Sequence, residues 1–348
     1  MTNIEQLKIL FIGDLNEGTR SLMRAQILQK VAASVKCISN TPVPFIAGVD
    51  KPTTYTRILN KLRIPRDEIG INKAILKIAE SGGNFDVIWI EKSTMLKPST
   101  LICLKKEYIK TKIISLSEDD MYAFHNRSRY YERSLKFYDL VFTTKLYNLN
   151  ELLMLGAKKT QLFLDSYHSE LHRPLNNYIK IKDKDINVSF IGTYEKERAD
   201  IIMWLGSKNI KVTVYGNGWA SLTGKDKNIT IMNKAILAEK YVEIINRTKI
   251  NLGFLRKINR DEVTSRSMEI TGCKSFLLAE RTARHVSLFK EGVEAEFFSN
   301  KEELLSKIMK YLGNEPALKK ISLKGRERCI ESGYDMENQV TDILKFIQ

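Results

Sequence analysis

Short, almost continuously apolar runs recur along the chain, and segments with helical periodicity separate them. Phe85–Ile90 (FDVIWI) is the clearest run, and its lack of polar alternation is typical of a strand covered on both faces. Helical periodicity is strongest at Arg57–Glu80, where Pro65 must break it, at Lys196–Gly206 and at Ala238–Arg247. Strands that alternate with helices favour a parallel sheet with right-handed crossovers. The pattern predicts strands at Leu7–Ile12, Ser34–Ser39, Phe85–Ile90, Lys112–Ser115, Asp139–Thr144, Val188–Ile191, Lys211–Tyr215, Ile250–Leu255 and Ser275–Ala279.

The pattern occurs twice, which indicates two similar halves. Phe11-Ile12-Gly13 and Phe190-Ile191-Gly192 each close a first strand ahead of a helix. A length of 348 residues suits two cores better than one. Pro174, paired asparagines and alternating charges predict a linker. We therefore expect an α/β protein with a Rossmann-like N-terminal domain at 1–172, a linker at 173–186, a Rossmann-like C-terminal domain at 187–334 and a last helix at 335–348.

The composition describes a folded, strongly basic protein. Hydrophobic residues make up 43% of the chain, yet no run reaches the roughly 18 apolar residues of a membrane span. The first residues lack the basic-then-apolar pattern of a signal peptide, so we expect a cytoplasmic protein, peripheral to the inner membrane face at most. The net charge of +15 favours anionic partners, namely nucleotide sugars, anionic lipid surfaces or nucleic acid. Its lysines are scattered without a compact basic block, so nucleic acid is not the favoured partner.

Cysteine and histidine spacing gives no sign of a metal site. The four cysteines form no CxxC pair, and the four histidines show neither HExxH nor HxH spacing. We predict buried free thiols and no bound metal or cofactor.

The stretch from Ile250 to Phe298 holds the strongest functional signal. An apolar strand leads into a charged loop and a helix that carries Arg266 and Glu269; a Gly-Cys stop, a second strand and Glu280 follow. This order suits a nucleotide site at the carboxyl edge of a parallel sheet. A helix beginning near Asp261 would direct backbone N–H groups at a phosphate.

Several motifs in this stretch and upstream of it resemble one family. They are "TSRSMEITGCKSFLLAERTARHVSLF", "SEDDMY", "RYYERSLKFYDLVFTTKLYNLNELLMLGAKK", "ELHRP", "FIGTYEKER" and "VYGNGW". Together they resemble CgeB-type glycosyltransferases, which are relatives of the group 1 glycosyltransferases. The resemblance covers roughly residues 112–334 and implies the GT-B fold, in which two Rossmann-like domains face a central cleft. It also implies a nucleotide-sugar co-substrate, UDP- or GDP-linked.

The resemblance assigns a set of donor-binding residues. Glu269 would bind the donor ribose, although a helix carboxylate could instead pair with Arg266 or Lys274. His285 is expected on a helix face with a structural role. Guanidinium groups match phosphate oxygens bidentately, which favours phosphate contacts near the loops. The full predicted donor set is Gly192, Tyr194, Arg198, Gly216, Gly218, Trp219, Arg256, Lys257, Arg266 and Glu269. Trp219 would border the base, with packing as the alternative.

Acidic residues after a predicted N-domain strand are the candidate catalytic groups. Glu118-Asp119-Asp120 resembles a metal-binding DxD signature, but the family implied here usually needs no metal. Asp119 or Asp120 would accept the acceptor's proton, with turn capping as the alternative, and His125 is a secondary candidate base. Asp14 and Gly18, in the first strand-to-helix loop, are acceptor-side candidates.

The sequence therefore favours a metal-independent glycosyltransferase that acts on a surface glycan, a spore-coat component or another polymer. One alternative is a catalytically silent protein of the same fold, because Asp261 is a doubtful match to the first acidic residue of the family. Another is a DNA-modifying glycosyltransferase, which the positive charge suggests.

Overall fold

The computed structural model describes residues 3–44, 53–175 and 180–347. The chain divides into two compact units. Unit 1 comprises Met1–Leu164 and Met336–Gln348, and unit 2 comprises Asp165–Asp335. The linker predicted at 173–186 therefore lies inside unit 2, and its residues 176–179 lie outside the described residues.

Each unit contains one parallel sheet of six strands. The strands of unit 1 are β1 (Lys8–Gly13), β2 (Ser34–Ser39), β3 (Val87–Glu91), β4 (Lys112–Ser117), β5 (Leu140–Thr143) and β6 (Thr160–Leu162). Those of unit 2 are β7 (Ile186–Ile191), β8 (Val212–Tyr215), β9 (Ile229–Ile231), β10 (Thr248–Gly253), β11 (Leu277–Glu280) and β12 (Glu296–Phe298). The nine predicted strands all form, whereas the three-residue strands β6, β9 and β12 were not predicted.

Helices connect the strands. In unit 1 they are α1 (Arg20–Val31), α2 (Thr54–Lys61), α3 (Ile71–Glu80), α4 (Pro98–Glu107), α5 (Arg129–Ser134) and α6 (Asn148–Met154). In unit 2 they are α7 (Lys196–Ser207), α8 (Ala238–Arg247), α9 (Ser265–Gly272), α10 (Ala283–Leu288), α11 (Lys301–Leu312) and α12 (Glu315–Glu331). The last helix, α13 (Met336–Ile347), belongs to unit 1 and packs against α1. Among residues 3–44, 53–175 and 180–347, no helix is long and apolar enough to span a bilayer.

Local sequence explains several helix boundaries. The Thr19 hydroxyl caps α1 by accepting a hydrogen bond from Leu22 N at 3.2 Å. The break expected at Pro65 is present, since α2 ends at Lys61 and α3 starts at Ile71. The Asp67 carboxylate then accepts hydrogen bonds from the first two backbone N–H groups of α3, at 2.8 and 2.9 Å. The apolar pattern thus shows roughly where a helix lies, and side-chain caps fix the residue at which it begins.

The helix predicted to begin near Asp261 begins four residues later, at Ser265, so that prediction is wrong. Arg260 adopts a left-handed conformation (φ 46°), and the Asp261 carboxylate accepts a hydrogen bond from Asn259 Nδ2 at 2.7 Å. Asp261 N also bonds Arg256 O at 3.2 Å. These contacts close a tight loop that α9 cannot include.

The two sheets differ in strand order. Unit 2 has the order β9-β8-β7-β10-β11-β12, which is the 3-2-1-4-5-6 order of a dinucleotide-binding fold. Unit 1 has the order β2-β1-β3-β4-β5-β6. Strand order therefore reverses between β7 and β10 in unit 2 and between β1 and β3 in unit 1. Open parallel sheets bind ligands outside the carboxyl ends of such strands.

Candidate functional site

The candidate site of unit 2 lies at the carboxyl ends of β7 and β10. Gly192, Thr193 and Tyr194 follow β7, and Phe254, Leu255 and Arg256 follow β10. The chain leaves these neighbouring strands in opposite directions, and open parallel sheets bind ligands in the crevice that such a reversal creates. Most of the predicted donor residues lie on these loops and on the helices that follow them.

Two glycines let the ends of β7 and β8 approach closely. Gly216 has φ 137°, and a Cβ there would lie 2.0 Å from the carbonyl oxygen of Gly192. Gly192 N donates to Tyr215 O at 2.8 Å, and Gly216 N donates to Lys234 O at 2.9 Å. The backbone of Gly216 therefore packs directly against Gly192, and only a glycine fits there.

Trp219 packs at the place where the ends of β7 and β8 approach each other. Its side chain is fully buried (0% exposed), and its indole N–H donates to Gly192 O at 2.9 Å. It also packs edge-on against Phe190 and Tyr194. These contacts match the packing alternative for Trp219, and its predicted donor contact stays a prediction.

Tyr194 and Gly218 form the solvent side of the same turn. Tyr194 is half-buried, and its ring lies edge-on to Trp219 with centroids 5.3 Å apart. Tyr194 N donates to Asn217 O at 2.9 Å. Gly218 is exposed with φ 87°, and a Cβ there would lie 3.1 Å from the Cβ of Tyr194. These two residues present the turn to solvent.

Arginines gather at the start of α7 and beside it. Arg198, on α7, is 4% exposed, and its terminal nitrogens lie 3.4 Å from Thr193 O and 3.5 Å from Phe254 O. Arg198 is thus held between the loops that follow β7 and β10. Burial lowers the pKa of its guanidinium; Glu195 opposes this, and the charges of Arg266 and Arg256 lower it further.

Part of this positive charge lacks a partner. Glu195 accepts a hydrogen bond from Arg256 Nε at 2.9 Å and lies 3.6 Å from Arg198 Nε. The Nε atoms of Arg198 and Arg266 are both buried, and neither makes a hydrogen bond to a described residue. Glu195 thus pairs with two guanidinium groups, Arg198 and Arg256, and the buried Nε of Arg198 and of Arg266 could each donate a hydrogen bond to a bound anion.

The exposed Lys257 takes a different place from the arginines. Its Nζ lies 3.2 Å from Glu280 Oε2, and the same oxygen accepts a hydrogen bond from Leu255 N at 3.2 Å. Glu280, at the end of β11, therefore ties the loop after β10 to the neighbouring strand. Lys257 remains at the rim of the crevice.

Glu269 lies on α9, and Tyr241, on α8, orients its carboxylate. The Tyr241 hydroxyl donates to Glu269 Oε2 at 2.8 Å. Tyr241 is buried, and its ring packs edge-on against His172, with centroids 5.9 Å apart. Burial raises the pKa of Tyr241 well above its usual value, and the Glu269 charge raises it further, so the phenol stays a donor. The Glu269 carboxylate is thus held by a buried hydroxyl on the neighbouring helix.

His285 has the structural role that was expected. It is wholly buried; its Nδ1 donates to Glu280 O at 2.8 Å, and its Nε2 lies 2.8 Å from Ser267 Oγ. Since Nδ1 carries the proton for the carbonyl, Nε2 accepts from Ser267. Burial lowers the pKa of His285 to about 4.

The acidic run of unit 1 splits into three different environments. Glu118 is paired with Arg20 and Arg24, each at 2.7 Å. Burial alone would raise the pKa of Glu118, but the two guanidinium groups lower it to about 2. Asp119 is partly exposed and forms an ion pair with Lys92.

Asp120 is fully buried and caps a turn. Its Oδ1 accepts hydrogen bonds from Tyr122 N, Ala123 N and Asn148 Nδ2, at 3.1, 3.2 and 2.8 Å. These contacts match the capping alternative for Asp120, and its predicted role as a proton acceptor stays a prediction. His125, in the turn that follows, is exposed.

Asp14 and Gly18 shape the loop after β1. Asp14 Oδ1 accepts hydrogen bonds from Asn16 N at 3.0 Å, Asn16 Nδ2 at 2.8 Å and Thr41 Oγ1 at 2.7 Å. Gly18 has φ 77°, just before the Thr19 cap of α1. Both residues keep the loop compact at the carboxyl edge of the sheet of unit 1.

Within the described ranges, His, Cys, Asp and Glu side chains nowhere gather in a group of three or more that could hold a metal ion. The sequence had also given no hint of Tyr241, Glu195 or the Arg20–Arg24 pair as site residues. Their positions resemble ordinary helix positions in the sequence, and only their partners reveal them.

Comparison with a family model gives a match over part of the chain. A family described as "Glycosyl transferase-like" matches residues 198–345. This range contains Arg198, Arg256, Arg266 and Glu269. No curated protein matches the chain.

Solved structures similar to the chain cover nearly all of it. Sucrose-phosphate synthase from Thermosynechococcus elongatus has 10% identity and a TM-score of 0.67, with 98% of each chain covered. Anabaena HepE in complex with UDP-glucose has 11% identity and a TM-score of 0.63, over 98% of this chain and 100% of that one. An alpha-glucosyltransferase in complex with UDP and a DNA 13-mer has 12% identity and a TM-score of 0.67, over 99% and 100%. The similarity shows that the chain has the glycosyltransferase GT-B fold, as the sequence predicted.

Proposed function

We propose that this protein is a glycosyltransferase that moves a sugar from a nucleoside-diphosphate donor, UDP- or GDP-linked, to a hydroxyl group of a glycan or another polymer. The observation that carries the proposal is the group of three arginines at the strand-order reversal of unit 2. The glycosyltransferase-like match, which spans these arginines, supports the same conclusion.

The arginines suit a leaving diphosphate. Departure of the nucleoside diphosphate builds negative charge that cationic groups must stabilise. Arg198 and Arg266 each have a buried Nε that makes no hydrogen bond to a described residue, and Arg256 is exposed on the neighbouring loop. A diphosphate that accepts hydrogen bonds from these groups would offset the cost of burying Arg198.

Glu269 suits the ribose of the donor. A carboxylate near the diphosphate site accepts hydrogen bonds from ribose hydroxyls in related α/β folds. Tyr241 fixes the Glu269 carboxylate in one orientation, so less freedom is lost when a ligand binds. Tyr194 and Gly218 then line the turn where a base would lie.

Asp119 is the best remaining candidate for accepting the acceptor's proton. It is partly exposed at the carboxyl edge of the sheet of unit 1, where its carboxylate forms an ion pair with Lys92. His125, also exposed, remains the second candidate.

We propose that transfer needs no metal ion. Glu118 forms ion pairs with two arginines, and Asp120 is buried and accepts hydrogen bonds within a turn. The acidic run thus offers only Asp119 as an accessible carboxylate, which is a poor ligand set for a divalent cation.

Thermal-shift measurements with UDP, GDP, ADP, CMP and dTDP, and with their common sugars, test the donor site. A ligand at a hundredfold excess over its Kd stabilises the folded state by about 2.7 kcal/mol. We expect a shift with UDP or GDP compounds in the parent protein and a strongly reduced one in Arg266→Gln.

Arg247→Gln is the matched control. It removes the same charge at the end of α8, where Arg247 pairs with Asp185 and Glu243. A shift in neither the parent nor the control would refute the donor site. Donor hydrolysis without acceptor separates an active transferase from a silent protein of the same fold, because only the former cleaves the sugar–phosphate bond.

DNA is the second candidate acceptor. One similar structure contains DNA, and this chain carries a net charge of +15. Transfer to duplex DNA, with binding that weakens steeply as salt rises, would favour DNA over a glycan.

A further inference from the structure

Helix α2 exposes its apolar face. Tyr55, Ile58 and Leu62 are 59%, 52% and 50% exposed, and their spacing of three and four residues places them on one side of the helix. Thr56 is the only buried residue of α2. The apolar side of this helix therefore contributes little to the core of unit 1.

A second segment extends this face. Phe124, in the loop after β4, is 64% exposed, and the guanidinium of Arg63 lies 4.3 Å from the centre of its ring. Arg129 N donates to Arg63 O at 2.8 Å, which joins the two segments through the backbone. Residues 53–66 and 121–131 thus form one continuous surface, the basic–apolar surface.

The charges of the basic–apolar surface all have one sign. Residues 53–66 contain four Lys or Arg residues and residues 121–131 contain two, six in total, while neither segment contains Asp or Glu. Three carboxylates next to these segments make specific contacts: Asp67 caps α3, Glu68 accepts a hydrogen bond from Thr56 at 2.8 Å, and Glu132 pairs with one of the six cations, Arg63, at 2.6 Å. Four of the six cations form no ion pair with a described residue: Arg57, Lys61, Arg66 and Arg129.

We propose that the basic–apolar surface docks unit 1 onto a bilayer that contains anionic lipids. Aliphatic and aromatic side chains at helical spacing, with cations around them, match the boundary between acyl chains and anionic headgroups. Phosphates of a nucleic acid would engage the cations but would leave Ile58 and Leu62 in water, so a bilayer fits the whole surface better. This inference is independent of the donor site.

Vesicle flotation with the full chain, without any nucleotide, tests the proposal. We expect binding to vesicles of 70% phosphatidylcholine and 30% phosphatidylglycerol, and none to pure phosphatidylcholine. Ile58→Ser with Leu62→Ser should lower the partition coefficient at least tenfold. Arg57→Gln with Lys61→Gln should do the same and should remove most of the salt dependence.

Matched controls remove equal numbers of exposed side chains elsewhere. Met309→Ser with Ile330→Ser replaces two exposed apolar helix residues of unit 2, and Lys319→Gln with Lys320→Gln replaces two exposed lysines of α12. Both control pairs should bind vesicles like the parent. The charge pair keeps the test valid if the apolar pair fails to fold.

Three results would overturn the proposal. The parent could fail to bind anionic vesicles, or the controls could lose binding as much as the α2 variants. The surface could also bind a 20-base-pair DNA duplex at a salt concentration where vesicles do not bind, which would assign it to nucleic acid. Because donor binding is measured separately, none of these results bears on the proposed transferase activity.

Discussion

Replacing Tyr241 with Phe tests how the candidate donor site is organised. The change removes one oxygen atom from a buried ring and keeps the packing against His172. The lost interaction is the 2.8 Å hydrogen bond from the phenol to Glu269 Oε2. Glu269 is half-buried, so water can replace part of that bond in the variant.

The magnitude follows from these contacts. A hydrogen bond to a charged group contributes about 1.5–3 kcal/mol, and partial replacement by water favours the lower end, about 1.5 kcal/mol of folding stability. Donor binding must then immobilise a freer carboxylate, which costs about 0.5–1.5 kcal/mol. Since about 1.4 kcal/mol is tenfold in Kd, we expect donor affinity to fall about twofold to twelvefold.

Isothermal titration with the nucleotide selected by thermal shift measures the affinity, and urea unfolding measures the stability. Tyr334→Phe is the matched control, because that buried hydroxyl donates to Leu288 O at 3.1 Å, a neutral acceptor. We expect the control to lose about 0.5–1.5 kcal/mol of stability and no donor affinity.

Two results would refute the reasoning. If Tyr241→Phe loses stability but binds the donor as the parent does, Tyr241 only packs and does not position Glu269. If Tyr334→Phe loses as much affinity as Tyr241→Phe, the effect reflects general destabilisation of unit 2.

Three further predictions concern the fold and the chemistry. Gly216→Ala should destabilise unit 2 by about 3 kcal/mol or more in urea unfolding, because the added Cβ would lie 2.0 Å from Gly192 O. Gly224→Ala is the control: its Cβ would meet open space, so the change should cost about 1 kcal/mol. As pH falls from 6.5 to 4, the free energy of unfolding should drop by up to about 3 kcal/mol, because His285 takes up a proton in the unfolded chain but not in the folded one. His285→Gln should make the free energy of unfolding depend less on pH. If the parent and the variant show the same pH dependence, the prediction fails. EDTA should leave turnover unchanged, and rescue by Mn²⁺ after a loss would overturn the metal-free proposal.

The sequence predicted much of the framework, because strand-length apolar runs and helical periodicity are local properties. Ser34–Ser39 and Ala238–Arg247 have the predicted bounds at both ends. The edge strands β6, β9 and β12 have only three residues each, too few for any periodicity to show. The start of α9 was misplaced because the left-handed Arg260 and the Asp261 loop contacts are not visible as a pattern.

Side-chain roles were harder to predict than elements, because they depend on partners far away in the chain. The Asp120 carboxylate accepts a hydrogen bond from Asn148, 28 positions later, and the Trp219 indole donates one to Gly192, 27 positions earlier. The pairing of Tyr241 with Glu269 likewise spans 28 positions. Residue type and neighbouring motifs can identify candidate site residues, but they cannot distinguish a residue that contacts a ligand from one that packs or positions another residue.

The place of α13 has a consequence for folding during synthesis. Unit 1 includes residues 336–347, and buried side chains of α13, among them Val340 and Leu344, complete its interior beside α1. The two ends of unit 2 meet in the Tyr167–Asp335 bridge. On the ribosome, unit 2 can therefore close while unit 1, although begun first, still lacks a helix. Until that helix emerges, the apolar side of α1 stays available to chaperones and to other nascent chains.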